Sequence, residues 1–65
     1  MYIYLRTSIE IIYINIDKIS TMTETEHPNK EINTLIHLDN DELIYVKETV
    51  EEIIAKIEIE KLRAR

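Results

Sequence analysis

Glycine and cysteine are both missing from this 65-residue chain, and proline occurs once, as Pro28. Without glycine there is no phosphate-cradling loop of the nucleotide-binding kind. Nor is there a residue that adopts a left-handed backbone at no steric cost. Without cysteine, disulfides and thiolate metal sites are excluded. The two histidines, His27 and His37, stand too far apart for a metal-type spacing. No apolar run approaches the ~20 residues of a membrane span. The N-terminus also lacks the basic, apolar, small-residue order of a secretion signal, so a cytoplasmic location is expected. Basic residues are scarce, with Lys and Arg totalling 8 against 13 for Asp and Glu, a net charge of -5. An acidic chain is poorly suited to neutralising phosphates, which argues against a nucleic-acid polymer as partner. Lys61, Arg63 and Arg65 read as charges matched to a helix C-terminus.

Catalytic groupings are equally sparse. No Ser/His/Asp or Cys/His set has a visible anchor. Glu24 and Glu26 share a strand face, where paired carboxylates could act as acid and base, but solvated edge charge is the plainer reading. The expectation is a non-enzyme without metal or cofactor.

What remains is architecture. Met1–Arg6 alternates, with Ile3 and Leu5 on one side and Tyr2 and Tyr4 on the other, all good strand formers. Thr7-Ser8 turns the chain. Ile9–Ile16 places Ile9, Ile11 and Tyr13 on one face and Ile12 and Ile14 on the other, the pattern of a strand covered on both sides. Asn15–Lys18 breaks the run through local Asn and Asp turns, and Ile19 returns to the core. Ser20–Glu26 is a polar, threonine-rich strand whose acids discourage edge aggregation. His27–Lys30 connects, with Pro28 holding His27 out of the helical region. Glu31–Leu38 and Glu42–Lys47 pair around a two-residue Asn40-Asp41 loop. That register sets Leu38 opposite Leu43 and Ile36 opposite Tyr45, and a one-residue slip would exchange the faces.

A helix over residues 49–62 follows. Thr49 stands three residues before Glu52, the capping-box spacing. Val50, Ile53, Ile54 and Ile57 form one apolar stripe, and Glu52 and Lys56 are spaced as an i, i+4 pair. Ala55, Ile59 and Leu62 form a second stripe on roughly the opposite side. The fold class is therefore α+β, one domain over residues 1–65: a small antiparallel sheet of four to five strands (residues 1–47), then one C-terminal amphipathic helix.

A domain this small buries only roughly 60% of its unfolded surface, and with no disulfide or metal a partner chain is the remaining staple. One helix covers one sheet face, which leaves the other face and the second helix stripe to another copy. The alternative is that the last helical turns fray and Ile59 is tolerated in solvent. On the first reading, Ile12, Ile14, Ala55, Ile59 and Leu62 form an oligomer or partner interface. The tyrosines offer another possibility: Arg6, Tyr13, His37, Tyr45 and Lys47 combine rings and cations that could hold a nucleotide-like anion between subunits. The plainer reading is tyrosines packed at strand surfaces.

Three stretches carry a family resemblance: Ile14-Asn15-Ile16-Asp17-Lys18-Ile19, then Ile36-His37-Leu38-Asp39-Asn40, then Tyr45-Val46-Lys47-Glu48-Thr49-Val50-Glu51-Glu52-Ile53-Ile54. Over about two-thirds of its length the chain resembles the small FlbD/SwrD family of flagellar and swarming-motility proteins. It departs from that pattern in having Ser8-Ile9 and Asn40-Asp41 where the family carries Asn-Gly, and in a longer middle connection and helix. A fainter likeness to LytTR-type DNA-binding domains, in strand order, is opposed by the acidic charge. The resemblance implies a non-enzymatic, oligomeric interaction module, an accessory factor of motility. The alternative is a phage or mobile-element sponge that sequesters a nucleotide signal; the abundance of Ile, Asn, Lys and Tyr over Gly, Pro and Ala fits an AT-rich genome of either kind.

Overall fold

The computed structural model describes residues 1–64. Arg65, expected at the negative end of the helix, lies outside the described residues. The chain is α+β: strands β1 (Tyr2–Arg6), β2 (Ile11–Asn15), β3 (Ile19–Glu24), β4 (Thr34–Leu38) and β5 (Leu43–Val46), then helix α1 (Val50–Arg63).

The strands do not form the single sheet expected. They divide into a two-stranded sheet, β1-β2, and a three-stranded sheet, β3-β4-β5, both antiparallel. Among the described residues one backbone bond joins the two sheets: the Lys47 N–H donates to the Arg6 carbonyl at 2.7 Å. Next to it, where a further rung would lie, the Glu48 carboxylate accepts the Arg6 N–H at 2.9 Å.

The inner faces of the two sheets enclose the core of Ile3, Leu5, Ile14, Ile36 and Val46, with Ile53 of α1 closing it. In β1, Ile3 and Leu5 point inward and Tyr2 and Tyr4 outward, as period-2 alternation dictates. In β2, only the Ile12/Ile14 face is covered. Ile11 and Tyr13 stand in solvent, and Ile9 lies in the Thr7–Glu10 turn rather than in the strand. That turn is closed by the Thr7 N–H on the Glu10 carbonyl, while the Thr7 hydroxyl oxygen accepts from the N–H groups of Ile9 and Glu10. A hydroxyl therefore organises the turn in glycine's absence.

Asn15 does what its turn chemistry suggests. Its Oδ1 accepts from the Asp17 N–H and caps a single 3-10 turn over Ile16–Lys18. The register of β3 on β4 then shifts between Ile19 and Thr21. The extra residue, Ser20, changes the phase of the strand, so Ile19 and Met22 both pack on the core although three positions separate them.

The β4–β5 hairpin differs by the one-residue slip. Ile36 pairs with Ile44 and Leu35 with Tyr45. The Leu38 N–H meets the Glu42 carbonyl, leaving a three-residue loop of Asp39, Asn40 and Asp41. Asp41, at φ 69°, takes the left-handed position. A three-residue loop ending in such a residue is a regular hairpin solution. It turns Thr34, Ile36, Ile44 and Val46 to the core and Leu35, His37, Leu43 and Tyr45 outward, so the face assignment expected for β5 is reversed.

The capping box forms as read: Thr49 Oγ1 accepts from the Glu52 N–H and Glu52 Oε1 accepts from the Thr49 N–H, both at 3.1 Å. Ile53 is buried and Ile57 packs on the core, while Ile54 is substantially exposed. The Glu52–Lys56 pair does not form, because Lys56 reaches across to β1 instead. No helix among the described residues is long and apolar enough to cross a membrane.

Candidate functional site

Two neighbouring features on β1 define the site. At its C-terminal end, Glu48 is the most deeply buried charge, 2% exposed. Its Oε1 accepts the Arg6 N–H at 2.9 Å and its Oε2 accepts Arg6 Nε at 3.0 Å. The Thr34 hydroxyl donates to the Glu48 carbonyl at 2.7 Å. Burial pushes the carboxyl pKa up, but the Arg6 N–H and guanidinium outweigh it and hold the group below the ordinary glutamate value. The Arg6 guanidinium is in turn raised by its bond to Glu48. This pair pins β1 to the β5–α1 junction.

Further along β1, the outward edge of the strand meets α1. Lys56 Nζ donates to the Tyr4 carbonyl at 3.0 Å and lies 3.6 Å from the centroid of the Tyr4 ring, a cation–π contact. The lysine satisfies an edge carbonyl that no strand pairs with. Beside it opens a groove of about 350 Å³, walled by Tyr2, Tyr4 and Tyr13 on the sheet and by Lys56, Ile59 and Arg63 on the helix. Tyr4 and Tyr13 are cross-strand partners. Their rings sit 6.3 Å apart, tilted by 53°, within the range of favourable aromatic pairing.

No family model, curated protein or solved structure matches the chain. The site is therefore read from its own geometry.

The residues marked out in the sequence are dispersed. Ile14 belongs to the core and Ile12 packs against it, so these two serve the protomer's own interior rather than an open face. Ala55, Ile59 and Leu62 are all exposed, and Ile59 lines the groove. Of the ligand candidates, only Tyr13 reaches the groove. Arg6 is taken by Glu48, and Lys47 Nζ lies 3.3 Å from Glu31. His37 and Tyr45 point outward on the other sheet, with His37 3.6 Å from Asp41 and Tyr45 against the His27 ring at 4.9 Å between centroids. These five do not form one cluster.

Sequence reasoning missed the role of Glu48 and the groove residues Lys56, Glu60 and Arg63. The missed signal was positional. Lys56, Ile59, Glu60 and Arg63 recur at helical spacing and so share one flank of α1. Tyr2 and Tyr4 share the face of Tyr13 once the β1–β2 register is known.

Proposed function

We propose that the protein is a non-enzymatic interaction module, an accessory factor of the flagellar-motility kind implied by its resemblance to the FlbD/SwrD family. It works by docking through the outward face of β1-β2 and the adjoining flank of α1. One observation carries this reading: the folded protomer leaves Tyr2, Tyr4, Tyr13 and Ile59 exposed around one groove, with Ile11 and Leu62 exposed elsewhere on the same elements. Aromatic and branched side chains gathered in this way are the usual core of a protein contact. The nucleotide-sponge alternative gains less support, since both groove cations already have partners, Lys56 on Tyr4 and Arg63 on Glu60.

Deleting the gene from its host and scoring swimming and swarming tests the reading. Loss of motility is expected, restored by the wild-type gene and not by Tyr13→Glu. Unchanged motility in the deletion strain sinks it. A thermal-shift panel of cyclic and ADP-ribose-type nucleotides should give flat curves; a clear shift would favour the sponge.

A further inference from the structure

Building on the docking reading, we propose that the partner on this face is a second copy of the chain, held in a two-fold contact. Each copy would set the Ile59/Leu62 end of α1 against the tyrosines of the other. Three observations converge on that occupant.

The first is area. Tyr2, Tyr4 and Tyr13 are 60%, 52% and 73% exposed, and Ile11, Ile59 and Leu62 are 61%, 50% and 62% exposed. The four that line the groove, Tyr2, Tyr4, Tyr13 and Ile59, present on the order of 450 Å² of mostly apolar surface. That is the size of the largest patch a monomer ordinarily leaves in water, which is often functional. With the charged rim added it approaches the ~800 Å² that one partner contributes to a standard interface. The total accessible surface points the same way. It is 4743 Å², above the roughly 4,400 Å² typical of a monomer of this mass.

The second is charge. The chain carries a net charge of -5, so most approaches of one copy to another are repulsive. The groove is an exception, because its charged residues are Lys56, Glu60 and Arg63. With two cations and one anion it lacks the acidic excess of the rest of the surface, and each copy offers the other charges of both signs.

The third is self-complementarity. A two-fold interface brings the same patch to itself, so each patch must hold both a feature and its counterpart. This face does so, with a tyrosine-walled groove beside an apolar helix ridge. Glu60 and Arg63 also lie on one rim, paired within the chain at 3.3 Å and free to exchange partners across a two-fold axis. An unrelated partner would need only one half of each pair.

Light scattering and sedimentation equilibrium test the proposal. At tens of micromolar the wild-type protein should show twice the 7.8 kDa protomer mass. Ile59→Glu and Tyr13→Glu should each return the protomer mass with an unchanged circular-dichroism spectrum. Glu60→Lys and Arg63→Glu, both changes at the rim, should each weaken the dimer at least five-fold. An equimolar mixture of the two should recover wild-type affinity, because the reversed charges then face each other. A monomeric wild type, or a dimer indifferent to both groove substitutions, overturns the proposal. So does a charge-swapped mixture no tighter than its components. A monomer whose deletion still abolishes motility would remove the two-fold contact and leave the docking reading standing. A groove-dependent dimer whose deletion leaves motility intact would do the reverse.

Discussion

Glu48 shows how much one residue can decide. It follows β5 and precedes the helix cap, where an acid looks like ordinary helix-dipole decoration. In the folded chain it is buried and accepts two bonds from Arg6 where β1 meets the β5–α1 junction. Its carboxyl pKa is lowered in the fold. A depressed folded pKa contributes stability above the unfolded value and loses it as pH falls through the folded one. The unfolding midpoint should therefore drop on acidification below the ordinary glutamate range of about 4 to 4.5. Glu48→Gln keeps the shape, removes the charge, and should destabilise the protein at neutral pH by roughly 1–3 kcal/mol. It should also flatten the acid limb of a denaturation series. An acid limb identical to wild type would assign the pH dependence to other carboxylates. No sequence pattern marks this pair, because Arg6 and Glu48 are brought together only by the packing of β1 beside the β5–α1 junction.

At the level of elements, the positions of strands and helix and the β4–β5 hairpin were legible, but the hairpin's register and the division into two sheets were not. The Thr49–Glu52 box, the alternation of β1 and the Asn15 turn are local, and each depends on residues within a few positions. The β4–β5 register depends on whether the loop holds two residues or three. That choice rests on which residue accepts a positive φ in a chain without glycine. Reading Asn40-Asp41 as the whole loop shifts β5 by one residue and turns Tyr45 inward; the fold instead takes Asp39–Asp41, with Asp41 left-handed at φ 69°. A non-glycine residue there carries a steric penalty from its Cβ. Asp41→Gly should therefore stabilise the protein by roughly 0.5–1 kcal/mol in urea unfolding, whereas Asn40→Gly should not. A reversed order of the two variants would restore the two-residue loop. The Ser20 bulge escaped notice for the same reason, since strict alternation cannot announce its own change of phase.

Over the whole molecule, the residues expected to lack cover divide: Ile59 and Leu62 are exposed, while Ile12 and Ile14 are drawn into the space between the two sheets. The division into two sheets produces this result. It lets the inner face of β2 pack within the protomer and leaves Tyr2, Tyr4 and Tyr13 facing out. The core is small: Ile3, Leu5, Ile14, Ile32, Ile36, Val46 and Ile53 are its buried apolar residues. A chain of this size with so few depends strongly on further burial. If that burial comes from a second copy, folding and association are linked, and stability must rise with protein concentration. Each tenfold increase well above the dissociation constant adds about 1.4 kcal/mol per dimer. For two chains of this length that should raise the melting temperature by roughly 3–6 °C. Ile59→Glu should melt at one temperature at all concentrations, below the wild type at high concentration and close to it at the most dilute. A wild-type melting temperature that stays flat over a hundredfold range would mean that the protomer's own core suffices, and that the tyrosine face is left open for a different protein.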